Sequence, residues 1–115
     1  MRYTRVYSDS SGESHFETVT AVGEESAVGL MTEPTYPSSM QFRDSGTAND
    51  FEWHNAPQKL YIVMLEGKVK IEVSDGEQRV FGPGEVLLME DTEGKGHRSS
   101  SPDGNSRSTL LLFLD

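Results

Sequence analysis

The sequence predicts an all-β domain, a sandwich or a barrel, on three observations. Apolar residues never recur at helical spacing over a useful length, short alternating or continuous apolar runs repeat, and Gly, Pro, Asp and Ser clusters separate those runs. Several short strands with turn chemistry between them suit either architecture, and closure into a barrel would protect the strand edges. At 115 residues the chain reads as one domain, 1–115, able to close a hydrophobic core without disulfide or metal staples.

Taken in order, Arg2 to Tyr7 and Ser14 to Val22 read as strands flanking the polar connection Ser8 to Glu13, a pair expected at an edge. From Gly23 to Asn49 the signal thins, because Pro34, Pro37 and three glycines interrupt every run; connecting segments and short edge strands fit there. Residues 1–50 are thus N-terminal edge strands and loops, and residues 51–114 carry the core. Leu60 to Leu65 is a continuous apolar strand ended by Glu66-Gly67, expected to be central and buried on both faces. Val69, Ile71 and Val73 alternate with Lys68, Lys70 and Glu72, and Ser74-Asp75-Gly76 turns the chain into Glu77 to Phe81. Phe81-Gly82-Pro83-Gly84 makes the next turn, Val86 to Met89 is another buried strand, and Thr109 to Leu114 is the last one. Between these two lies Asp91 to Ser106, polar and Gly-rich.

Nineteen acidic against ten basic side chains give a formal charge of -9, which repels phosphate backbones and anionic lipid, so neither nucleic acid nor a membrane is an expected partner. No apolar stretch approaches the roughly 20 residues of a membrane helix, and the segment from Met1 to Arg5 lacks the apolar core of a signal peptide. The cytoplasm is the expected compartment. The chain has no cysteine, so chemistry would rest on His, carboxylates and hydroxyls.

The stretch from Trp53 to Gly67, followed by Phe81-Gly82-Pro83-Gly84-Glu85 and Gly94-Lys95-Gly96-His97, resembles the two linked motifs of the cupin superfamily. Leu65-Glu66-Gly67 and the Gly-Pro-Gly turn are its most diagnostic parts. Ser11 to Glu17, the Trp-His-x-Ala-Pro segment and Asp91 to His97 look like a group of short single-domain cupins of unestablished activity. The resemblance implies a cupin-type antiparallel β-barrel, the double-stranded β-helix or jelly roll. Matched back from Gly67, His54 takes the first His position of the motif and His97 the later His. Ala56 falls where a second His would stand, Leu60 where a Glu would stand, and Thr92 where a Pro is usual.

A divalent transition metal needs converging lone pairs, which Ala56 and Leu60 cannot supply, so no firm metal site follows. If a metal is bound, His54 and His97 would hold it with help from Gln58 or His15; otherwise no cofactor is required. His54 and His97 have inert alternatives, a rim imidazole bonded to a carbonyl and an exposed one after a Gly-Lys-Gly turn. His15 has a structural reading in an N-terminal strand. The resemblance, which places His54 and His97 inside the barrel, favours a functional pair. Asp91 could orient His97 or an arginine. The acidic run Glu90, Asp91 and Glu93 fits no calcium loop and reads as a solvated turn.

If His54 faces the cavity, strand parity carries Ala56, Leu60, Ile62 and Met64 inward, provided no bulge intervenes. Tyr61, Val63 and Leu65 then face outward, where a second sheet or a partner subunit should cover them. The resemblance implies a homodimer. A small molecule bound by Trp53, Gln58, Leu60, Ile62 and Met64 is the expected ligand. Three functions fit: an isomerase, cyclase or lyase in which His54 is the base and His97 the partner acid or oxyanion donor; a metabolite-binding or sensory module without chemistry; and a metal-dependent dioxygenase or sugar isomerase.

Overall fold

The structure is a computed structural model that describes residues 1–46 and 51–115. Among the described residues no helix forms, and none could therefore be long and apolar enough to cross a membrane. The strands are β1 (Arg2–Ser8), β2 (Ser14–Thr20), β3 (Gly23–Ser26), β4 (Gly29–Thr32), β5 (Ser39–Asp44) and β6 (Phe51–His54). They continue with β7 (Leu60–Glu66), β8 (Val69–Val73), β9 (Gln78–Phe81), β10 (Val86–Met89), β11 (His97–Ser100) and β12 (Ser108–Phe113).

Two sheets face each other. One runs β2-β1-β10-β7-β12-β5, the other β6-β11-β8-β9, and β3-β4 form a separate hairpin. The apolar run of β7 lies between β10 and β12, as six consecutive apolar residues require of a strand whose two edges are both paired. The N-terminal pair does lie at an edge, with β2 outermost. One pairing departs from the expected antiparallel order: β1 runs parallel to β10, Val6 opposite Met89. The two strands are far apart in sequence, so no tight hairpin dictates their relative direction.

The core fills the space between the sheets. Val6, Met64, Leu87 and Met89 from the larger sheet and Val73 and Phe81 from the smaller one are almost wholly buried. Burying each such side chain contributes about 1.5–3 kcal/mol. The alternation of Val69, Ile71 and Val73 puts all three inward, with Lys70 and Glu72 between them on the outer side. The seam between the sheets is closed by serine. Ser14 on β2 bonds Ser74 through both backbone and side chain, and Ser14 Oγ donates to the Gly96 carbonyl at 2.6 Å.

The polar segment from Asp91 to Ser106 contains a strand that hydropathy alone does not announce. β11 carries His97, Arg98, Ser99 and Ser100, and is held by pairing with β8 on one side and β6 on the other. Tertiary pairing overrides its weak β-propensity. The expectation that both faces of β7 are covered holds only in part. Tyr61 packs edge-on against Tyr3 at 5.8 Å, while Leu65 remains 41% exposed within the single chain.

Candidate functional site

Between the two sheets lies a cavity of about 180 Å³. Its floor and walls are aliphatic: Ala56, Leu60, Ile62 and Met64 from the segment leading into and along β7, Leu87 and Met89 from β10, and Ile71 from β8. The polar groups that reach it are His54, His97, Ser99, Thr109, Arg43 and Arg107.

His97 opens β11, is 6% exposed, and is bonded through Nδ1 to Asp91 Oδ2 at 2.5 Å. A carboxylate accepts, so the proton on His97 sits at Nδ1 and leaves the Nε2 lone pair free of any hydrogen bond among the described residues. Asp91 is itself fully buried, and its Oδ1 has no hydrogen-bond partner among the described residues. The backbone at this corner is tied down as well: the Asp91 carbonyl accepts from the Ala56 amide and from Asn55 Nδ2. His54 lies directly opposite His97 in the β6–β11 pairing, with ring centroids 4.4 Å apart. Its Nδ1 meets the Glu52 carbonyl at 2.6 Å, which again requires the proton on Nδ1. Both imidazoles are thus held in the same tautomer.

Gly96 makes this approach possible. At φ 75° it adopts a conformation that side chains rarely tolerate, and a Cβ there would stand 2.2 Å from the His54 carbonyl oxygen. Gly67 has a similar duty below the cavity, where a Cβ would fall 2.3 Å from the Ser106 carbonyl oxygen and 2.8 Å from the Arg107 Cα.

The structure brings His54, His97, Leu60, Ile62 and Met64 together around one cavity and leaves out three other candidates. Trp53 is turned away. The β6–β11 register slips between His97 and Ser99, a bulge that puts both Phe51 and His54 on the cavity side, each still exposed, and leaves Trp53 over Arg98, 5.4 Å from ring centroid to guanidinium carbon. Gln58 is spent on the chain end, donating to the Leu114 carbonyl at 2.9 Å. His15 lies on the surface between Asp9 and Asp75, at 2.6 and 2.8 Å, so neither it nor Gln58 can complete a metal site with the cavity histidines. The orienting role suggested for Asp91 is realised on His97.

A cupin metal centre does not fit this donor set. Ala56 and Leu60 present only carbon to the cavity, and no group of three or more His, Asp or Glu able to hold an ion occurs among the described residues. Sequence reasoning missed Arg43, Arg107 and Thr109 as cavity residues. Arg43 comes from a segment whose pattern was too thin to place, and Arg107 from a polar connection, so no periodicity marked either as inward-facing.

No family model and no curated protein matches the chain. Solved structures do. Protein NMB1881 from Neisseria meningitidis superimposes with a TM-score of 0.53 at 23% identity, covering 72% of this chain and 81% of that one. A Cupin 2 conserved barrel domain protein from Salinispora arenicola gives a TM-score of 0.53 at 19% identity, covering 75% of this chain and 71% of that one. With its two facing sheets and the seam that joins them, this chain has the all-β, cupin-type barrel fold.

Proposed function

We propose that the cavity binds a small organic molecule and that His97 and His54 move a proton on it without a metal. The observation that carries this reading is the buried Asp91–His97 pair beside the more exposed ring of His54, at a cavity whose walls are mainly aliphatic. A neutral imidazole whose Nδ1–H is fixed by a carboxylate offers Nε2 as a general base, as the carboxylate also stabilises the imidazolium that forms. The neighbouring ring, once protonated, serves as the acid. For a ligand with a C–H next to a carbonyl, one nitrogen takes that proton as the enolate forms, and a protonated ring returns a proton at another carbon or at oxygen. That sequence describes an isomerase; if the enolate carbon instead bonds to an electrophilic carbon of the same molecule, whose oxygen the protonated ring protonates, it describes a cyclase, and if the enolate expels a group from the β-carbon, protonated as it leaves, a lyase.

The test is proton exchange. Small ketones and keto acids incubated with the protein in D2O are followed by NMR for loss of the α-proton signal. Exchange should survive chelator and fall by about 100-fold or more in His97→Gln and in the double variant with His54→Gln. Exchange lost on chelation would replace this reading with the metal-dependent one. Binding without exchange would make the protein a metabolite-binding module.

The proposal extends to a homodimer and keeps the cytoplasm as its compartment on composition alone. The outer face of the larger sheet supports the dimer. Phe42, Leu110, Val63 and Val86 stand in one cross-strand row, and Met40, Leu112, Tyr61 and Leu88 in the next. Phe42 is 72% exposed, so Phe42→Asp should leave the fold intact and shift sedimentation toward the monomer. Identical sedimentation of variant and wild type would sink the dimer.

A further inference from the structure

Two of the ten basic residues of a strongly acidic chain line the cavity, whereas no Asp or Glu is among its lining residues. Arg43 sits on β5 directly opposite Thr109 of β12, on the inner side of the sheet. Its guanidinium forms no ion pair with any described carboxylate; its one close aromatic neighbour is Phe51, whose ring centroid lies 6.0 Å from the guanidinium carbon. Arg43 is exposed as a whole residue, yet partial desolvation draws its pKa below the ordinary arginine value while the group stays charged.

Thr109 supplies the second, independent observation. It is 2% exposed, and its Oγ1 has no hydrogen-bond partner among the described residues. A buried hydroxyl without a partner is destabilising, and a valine would fill the same space without that cost. The hydroxyl is therefore explained if something entering the cavity accepts a hydrogen bond from it. A carboxylate accepts well from a hydroxyl and a guanidinium at adjacent positions on neighbouring strands. Arg107, 3% exposed and also lining the cavity, adds positive charge nearby.

We infer that the ligand is a small organic carboxylate, its anionic end held by Arg43 and the Thr109 hydroxyl and its apolar body against Ile62, Met64 and Leu111. This inference rests on the reading of the cavity as a binding site. It names the substrate class of the proposed proton transfer: an acid whose carbonyl-activated carbon lies toward the imidazoles while its carboxylate is anchored across the cavity. The size agrees, since about 180 Å³ is below the roughly 300–1,000 Å³ of sites for drug-sized ligands.

Hexanoate and hexan-1-ol, matched in chain length, are titrated into wild-type protein and into Arg43→Gln, Arg43→Lys and Thr109→Val, following the methyl signal of Met64 and the ring signals of His97 by NMR. Wild type should prefer hexanoate by about tenfold or more. Arg43→Gln should abolish the preference without weakening hexanol, Arg43→Lys should keep part of it, and Thr109→Val should reduce hexanoate binding severalfold while the fold, checked by the same spectra, persists. Equal binding of acid and alcohol, or a preference that survives Arg43→Gln, would overturn the carboxylate inference and leave the cavity reading standing. If neither compound shifts the Met64 or His97 signals, the cavity reading falls, and this inference with it.

Discussion

Two histidines of this chain are gripped by aspartate, and their surroundings give the same hydrogen bond two different meanings. His97 is buried against a wholly buried Asp91 and shares a cavity with His54. His15 is held on the surface between Asp9 and Asp75, joining the β1–β2 connection to the β8–β9 turn. In the first case removal of water makes the interaction strong, directional and expensive to disturb. In the second, water and salt compete with it, and the two aspartates tether loops. A carboxylate beside an imidazole is therefore not a sign of chemistry until burial and an adjoining cavity are added.

The largest effect expected from breaking the buried half comes from its backbone. Gly96→Ala forces a Cβ against the His54 carbonyl in a left-handed conformation. It should destabilise the fold on the order of 3 kcal/mol, read as a fall in the urea midpoint. A midpoint within error of wild type would show that β6 and β11 can separate freely, and the enforced proximity of the two rings would no longer hold.

Next in size is Asp91→Ala. It leaves the His97 Nδ1–H without a partner in a buried place, at a cost of about 1–3 kcal/mol, and that cost should be the same at low and high salt. Asp91→Asn keeps the shape and an acceptor oxygen, so it should cost less stability than Asp91→Ala while still slowing proton exchange, because the charge that stabilises the imidazolium is gone. If the two variants lose stability equally, the carboxylate's charge rather than its hydrogen bond maintains the corner. If Asp91→Asn leaves exchange at wild-type rate, Asp91 is a structural residue only.

How much of this was legible in the sequence follows from which forces decide each element. The strands from Leu60 to Met89 declare themselves, because burial against a facing sheet imposes an apolar period that the chain must display. Leu60, Ile62 and Met64 were placed on the cavity wall by that parity alone, and His54 and His97 by their resemblance to a motif. Phe51 departs from the parity expectation, joining His54 on the cavity side, because of the bulge between the His97–His54 and Ser99–Phe51 pairs, which leaves no mark in hydropathy. β11 was unreadable for a related reason: His97-Arg98-Ser99-Ser100 is polar on both faces, and only its neighbours make it a strand. Arg43 and Thr109 required register between β5 and β12, a relation across more than sixty residues that no local pattern encodes. Gln58 and His15 looked available as donors because a sequence shows side chains but not the partners that already occupy them.

The smallest effect belongs to the exposed half, and its signature is a dependence on pH. Hydrogen bonding to Asp9 first, and then to Asp75, raises the His15 pKa above its ordinary value, while the bond to His15 holds Asp9 well below the usual carboxylate range. A raised histidine pKa means that the stabilisation is fully present below the unfolded histidine value of about 6.5 and is lost as pH rises through the folded one. The depressed Asp9 works in the opposite direction: its contribution is present above the ordinary aspartate value, about 3.9, and fades as pH falls toward the folded one. The two limits enclose a window. The stability difference between wild type and His15→Gln, followed by urea unfolding, should be greatest between about pH 4 and 6.5, shrink above it, and diminish further in 1 M NaCl as the charges are screened. A difference that is flat with pH and indifferent to salt would mean that His15 acts through packing against Tyr7, whose ring lies 5.5 Å away, and the two histidines would then differ in kind rather than in exposure.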